Sequence, residues 1–217
     1  MRRFTIDHLP VVGDFVCLDE GVSHHLLRVT GIAPGEKVEL LDGSGVTALA
    51  ELCDVEQGLA RLRILSHDRQ MKTQSPVHLM LAQLRASTLD TVLRMATELG
   101  ASSITMVQAE RCVARGDKRE RWNRIVQSAA AQSGRADWPT IHPPVSFDDA
   151  LFLGDGEVGV MCVPNVAERL VPAHSPVRLL IGPEGGWADK EQVQGLERGW
   201  VHRGLGVHVL RADTAAI

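Results

Sequence analysis

Along the first seventy residues, β-forming side chains alternate or cluster in short runs. DFVCL (14–18), KVELLDGSG (37–45) and VTALAELCDVEQGLARLRIL (46–65) are punctuated by turn signals at Asp42-Gly43 and Gly58. Short strands joined by tight turns predict a small β-barrel over residues 1–72. MKTQSP (71–76) is polar and ends in proline, which predicts a linker. The period then changes. VHLMLAQL (77–84) is a continuous apolar run, as in a strand buried on both faces. TLDTVLRMATELG (88–100) places Leu89, Val92, Leu93, Ala96 and Leu99 at helical spacing, with Thr88 as N-cap and Gly100 as the stop. SITMVQ (103–108), EVGVMCV (157–163) and VRLLIGP (177–183) predict strands, whereas KRERWNRIVQSAAAQSG (118–134) and ADKEQVQGLERG (188–199) predict helices. VHRGLGVHVLR (201–211) reads as extended chain broken by glycine. Strands alternating with helices predict an α/β domain with a mainly parallel sheet over 73–217. ADTAAI (212–217) begins like another helix, so a C-terminal helix cut short is expected.

Composition narrows the class. The 217 residues are 44% hydrophobic, enough for a real core, and no window approaches 18 consecutive apolar residues. The N-terminus, MRRFTIDHLPVVGD, lacks the apolar stretch of a secretory signal. The four cysteines, Cys17, Cys53, Cys112 and Cys162, form no CxxC pair and no metal spacing. Reduced thiols in a cytoplasmic protein without metal are therefore expected. A net charge of −4 argues against a protein that coats nucleic acid non-specifically. Residues 85–135, however, carry 9 basic against 5 acidic side chains, between two acidic flanks. That stretch suits a local anionic partner; it equally suits Lys118, Arg119, Arg121 and Arg124 solvating a helix face.

The candidate chemistry lies where strands end. In α/β sheets, ligands bind outside the carboxyl ends of strands. Three such ends stand out: Val163-Pro164, Gly182–Gly186, and Leu205-Gly206 with Val209–Arg211. In LLIGPEGG, glycines let main-chain groups approach a flat ligand such as an adenine edge, or start a helix whose N–H groups attract negative charge. A tight strand–helix turn shaped by Pro183 accounts for the same residues. The motif is neither a P-loop nor a dinucleotide fingerprint.

LLIGPEGG, followed about twenty residues later by LG and VLRADTA, resembles the two signature loops of the RsmE family. TELG (97–100), AERC (109–112), QSGR (132–135) and HHLLRV…PGEKVELLDGSG (24–45) resemble further segments of that family, so the likeness spans nearly the whole chain. RsmE proteins are SPOUT-class methyltransferases that act on N3 of a uridine in 16S ribosomal RNA with S-adenosylmethionine. The resemblance implies a PUA-like, RNA-binding β-barrel at 1–72. It implies a SPOUT-type α/β domain at 73–217, with a C-terminal trefoil knot, one of the rare exceptions to unknotted chains. It also implies a homodimer acting on 16S rRNA or the small ribosomal subunit. The alternative is a non-catalytic RNA-binding protein that keeps the knotted fold.

The resemblance also implies residue roles. Gly182, Glu184, Gly185 and Gly186, with Ile181 before them, line one side of the cofactor. Leu205, Gly206, Val209 and Leu210 line the other, and Val163 belongs to the third loop. Arg211 is the candidate for stabilising negative charge on the uracil, with a salt bridge to Asp213 or Glu184 as its structural alternative. Glu184 and Asp213 are the candidate bases. RNA contacts are expected from Arg2, Arg3 and Arg28 in the first domain and from Arg85, Arg111, Arg135 and His208 in the second. The chain departs from the family in reading LGVHVLRADTA where LGPRILRTETA is usual, so Val207-His208 replaces Pro-Arg. It also has Thr88 and Met95 where the family carries lysines, and Val29-Thr30-Gly31 in place of Val-Leu-Arg.

Overall fold

The computed structural model describes residues 1–70, 76–169 and 176–217. Residues 71–75 of the expected linker lie outside the described residues. The chain divides into two compact units, Met1–Lys72 with Gln127–Asp137, and Thr73–Val126 with Trp138–Ile217.

The first unit holds β1 (Arg3–Thr5), β2 (Phe15–Cys17), α1 (Glu20–His24), β3 (Lys37–Leu41), β4 (Val46–Glu56) and β5 (Leu59–Arg69). The strands form one sheet in the order β1-β3-β4-β5-β2, with β1 parallel to β3 and the other pairs antiparallel. Alternation along β4 sends Ala48, Ala50 and Leu52 into a core with Leu26, Val38, Leu40 and Leu62. Sequence pattern did not predict α1, which runs on into a π-helical turn at His25–Val29. The segment is too short for a helical period to show. Its start was readable: Asp19 accepts the Val22 N–H at 2.9 Å, an ordinary N-cap.

The second unit contains β6 (Val77–Ala82), α2 (Ala86–Glu98), β7 (Ser103–Gln108), α3 (Arg119–Ser133), β8 (Thr140–Ser146), α4 (Phe147–Ala150), β9 (Val158–Cys162), β10 (Val177–Ile181), α5 (Asp189–Glu197), β11 (Val201–Arg203) and α6 (Ala212–Ala215). The last turns of α3 belong to the first unit. The six strands are parallel in the order β11-β9-β10-β6-β7-β8. Successive side chains of β6 face opposite ways. Leu79 and Leu81 join a core with Leu89, Val92 and Leu93 of α2 and with Trp122 and Val126 of α3. Met80 and Ala82 join a second core with Phe147, Trp187 and Trp200. This is why β6 reads as an apolar run broken only by His78 near its start: both of its faces are covered.

One expectation needs correction, and one strand has no counterpart in the sequence pattern. The N-cap of α2 is Arg85, not Thr88, and it has no side-chain cap. In its place the Glu184 carboxylate, 99 residues away, accepts the Arg85 N–H at a long 3.4 Å. Local capping chemistry could not reveal that start. The strand β8 was also not predicted, because Pro143 and Pro144 lie inside it. It is an edge strand, where a missing N–H is tolerated. The expected stop of α2 at Gly100 holds, with φ +100°.

Candidate active site

Chain order reverses around β6: β7 and β8 lie on one side, β10 and β9 on the other. A crevice forms outside the carboxyl ends of the strands at such a point. Here it is a cavity of about 640 Å³, within the range of small-ligand sites. Its walls come from the ends of β9 and β10, the chain after β11, and the starts of α2 and α6.

All of the sequence-predicted cofactor residues line it: Val163, Ile181, Gly182, Glu184, Gly185 and Gly186, then Leu205, Gly206, Val209 and Leu210. The catalytic candidates Arg211 and Asp213 line it too, as do Arg85 and His208 from the RNA-binding set. Sequence reasoning missed Trp187. This indole is buried, donates from Nε1 to the Cys162 carbonyl at 3.1 Å, and forms part of the cavity wall. Its place directly after GPEGG was the available signal.

The glycines serve two purposes. A Cβ on Gly182 would lie 3.0 Å from the Trp187 indole, and one on Gly185 would lie 3.2 Å from Cβ of Arg111. At these two positions glycine admits the protein's own side chains. Gly206 is different, since a Cβ there would meet nothing within 4 Å. Among the described residues, the N–H groups of Leu205–Leu210 make no backbone hydrogen bond. The Gly206 carbonyl accepts from Nη1 of Arg169. Among the described residues, the chain after β11 thus presents main-chain donors without a backbone partner beside apolar walls, the chemistry an adenine edge requires.

The charged candidates differ in how committed they are. Arg211 is exposed at the N-cap of α6, and no ion pair links it to Asp213 or Glu184 among the described residues. The salt-bridge alternative is therefore not seen. The Asp213 carboxylate accepts from the Thr214 N–H at 2.8 Å and its hydroxyl at 3.4 Å. Several expected RNA-binding arginines are engaged within the chain. Arg111 donates from Nη1 to the carbonyls of Gly185 and Trp187, both at 3.1 Å. Arg3 pairs with Glu39 at 2.6 Å, and Arg135 with Asp137 at 3.0 Å. Arg2 and Arg28 are exposed in the first unit.

Cys162 lines the cavity, and burial pushes its thiol from 9.0 up to about 12. Burial raises the Cys112 thiol as well. Cys17 and Cys53 are exposed, and all four thiols are free. Iodoacetamide at pH 8 is expected to label Cys17 and Cys53 in the native protein and to reach Cys112 and Cys162 only after unfolding, as read by peptide mass spectrometry. Because the folded Cys162 value lies above the unfolded one, its contribution to stability is complete below about pH 9. It is lost as pH rises from there toward 12.

A parallel α/β sheet with a glycine-lined cavity at its switch point suits an enzyme with an adenosine-containing cofactor, and comparison with known proteins narrows this. Residues 71–217 match the RNA methyltransferase domain family. A Synechocystis protein named ribosomal RNA small subunit methyltransferase E is 32% identical over 98% of this chain and 74% of its own length. A Mycobacterium bovis protein of the same name is 31% identical over 98% of this chain and 87% of its own. The crystal structure of the Neisseria gonorrhoeae ribosomal RNA small subunit methyltransferase E, bound to S-adenosylmethionine, superposes with a TM-score of 0.93. It is 32% identical, covering all of this chain and 93% of that one. The chain belongs to the RNA methyltransferase family, in its RsmE branch.

Proposed function

We infer that the protein transfers a methyl group from S-adenosylmethionine to ribosomal RNA of the small subunit. The observation that carries this is the cavity at the switch point. Its two glycine loops lie in a chain that superposes on a homologue solved with that cofactor. The residues fit the group: N–H groups at Leu205–Leu210 that have no backbone partner among the described residues, an open position at Gly206 and apolar walls from Ile181 and Leu205 suit an adenosine.

When bound, S-adenosylmethionine supplies a methyl group already activated on a sulfonium. The protein has then to hold the nucleophile in line with it and to manage a proton. On the reading that the target is uridine N3, the base must be turned out of its stack and its N3 proton removed. Arg211 faces the cavity without a carboxylate partner among the described residues and is placed to stabilise the charge that develops on the uracil oxygens. Glu184 and Asp213 are the two carboxylates in the cavity wall and serve as the candidate bases. His208, on the same wall, takes the substrate-side position that the resembled loop gives to arginine.

The finer architecture belongs to the same proposal. The first unit is read as a PUA-like barrel that binds RNA, the second as a SPOUT domain. The chain leaves β11 at one edge of the sheet, yet Ala212 of α6 packs in the core formed by α2, beside β6. It must therefore cross over β9 and β10, and this path supports a trefoil knot. Val207 and Val209 are 80% and 68% exposed, which supports cover by a second copy of the chain. The enzyme works in the cytoplasm, where its ribosomal substrate is made. Calorimetry with S-adenosylmethionine is expected to show saturable binding, and mass-spectrometric mapping of 16S rRNA from cells lacking the protein is expected to show one missing N3-methyluridine. Absence of cofactor binding by the folded protein would favour the non-catalytic RNA-binding reading.

A further inference from the structure

The segment after β7 and the loop after β10 are joined more closely than either sequence pattern suggests. Glu191 is only 3% exposed. Its Oε1 accepts the Glu110 N–H and its Oε2 accepts the Ala188 N–H, both at 2.8 Å. Lys190 forms an ion pair with Glu110 beside it. Arg111 then reaches under the loop, with Nη1 donating to Gly185 O and Trp187 O at 3.1 Å each.

The consequence lies in the peptide planes. In the Gly185–Gly186 unit, the carbonyl is taken by Arg111 and the N–H by Pro183 O at 2.9 Å. In the Trp187–Ala188 unit, the carbonyl is taken by Arg111 and the N–H by Glu191. Each plane is fixed at both ends, and Arg111 supplies one end of both. Between them sits Trp187, whose indole bonds Cys162 O and lies against Gly182. Rotation of either plane would move that indole within the cavity wall.

We propose that Arg111 is a positioning residue for the cofactor loop: its guanidinium sets the two peptide planes that hold Trp187 and the GPEGG backbone at the height the cofactor requires. This rests on the methyltransferase reading and departs from the expectation that Arg111 contacts RNA. No ion pair to Arg111 occurs among the described residues, and Glu110 beside it is paired instead with Lys190. Its partners are neutral carbonyls, which fits a geometric role.

The test uses the full chain with Arg111→Ala and Arg111→Lys. Cofactor affinity is read by calorimetry, methylation by initial rates at varied cofactor, and RNA binding by titration across salt. Loss of charge-assisted hydrogen bonds to two carbonyls is expected to raise the cofactor Kd and KM of the alanine variant by about tenfold or more. Turnover at saturating cofactor should stay close to that of the parent, and the RNA salt slope should not change. Lysine, a single ammonium without the guanidinium fork, should restore part of the affinity. Hydrogen exchange at residues 184–188 should quicken selectively in the alanine variant. Unchanged cofactor affinity with a salt slope shallower by about one unit would overturn the proposal and return Arg111 to the RNA interface. Weak binding in both variants, with a general loss of thermal stability and no selective exchange at 184–188, would overturn it as well. If the parent protein itself fails to bind cofactor, the methyltransferase reading falls and this one with it. If the parent binds and the variants bind equally well, only this one falls.

Discussion

Arg211→Ala is expected to lower single-turnover methylation of ribosomal RNA by roughly 10²–10³-fold, the usual loss when one preorganised charge-stabilising donor is removed. The reason lies in what Arg211 does not do. It faces the cavity from the N-cap of α6, its side chain does not cap that helix, and no carboxylate holds it among the described residues. A guanidinium left exposed at the mouth of a ligand site retains its full charge for a substrate. Since the helix does not depend on the side chain, thermal stability and cofactor affinity should be retained. The effect should therefore appear in the chemical step and not in the KM for cofactor. Arg211→Lys should recover part of the rate. A normal single-turnover rate in the alanine variant would leave Arg211 as a plain surface residue and move the electrostatic role to His208 or Arg85.

Gly206→Val addresses the other half of the site. The protein has no use for the glycine at that position: an added Cβ would meet no heavy atom within 4 Å, and the backbone is not in the left-handed region. The variant should melt at the parent temperature. If the adenosine lies between the two loops, the branched side chain would occupy its space. Forcing extra carbon into a filled site costs about 1–3 kcal/mol, so cofactor affinity should fall about 10–100-fold. Gly182→Ala makes the contrast. Its Cβ would lie 3.0 Å from the Trp187 indole, so that change should lower stability before any ligand is added. Full cofactor affinity in a stable Gly206→Val protein would show that the second loop is not a cofactor wall.

What the chain discloses by itself is what short-range physics controls. The strands at 77–82, 103–108, 158–162 and 177–181 were legible because a strand covered on both faces is mostly apolar, and the polar side chains buried in it, such as Ser103 and Thr105, are small. The helix after β6 was legible from the spacing of Leu89, Val92, Leu93 and Ala96, and its end from Gly100. The residues that line the cavity were legible as cofactor candidates because a glycine cluster at a strand end is costly to keep without a use, and because the loops resemble those of a known family. Three features needed the folded chain. The start of α2 at Arg85 meets a carboxylate 99 residues away, so no local cap marks it. The strand β8 survives two prolines only because it lies at the sheet edge, a fact of topology. The fates of Arg3 and Arg111 were decided by tertiary structure too. On the page each is a free cation fit for RNA. In the fold, chain reversal brings Glu39 to Arg3 and the carbonyls of Gly185 and Trp187 to Arg111 within about 3 Å, whereas Arg135 pairs with Asp137, only two residues along the chain. A charge is written in the sequence, but its partner is set by where the backbone returns.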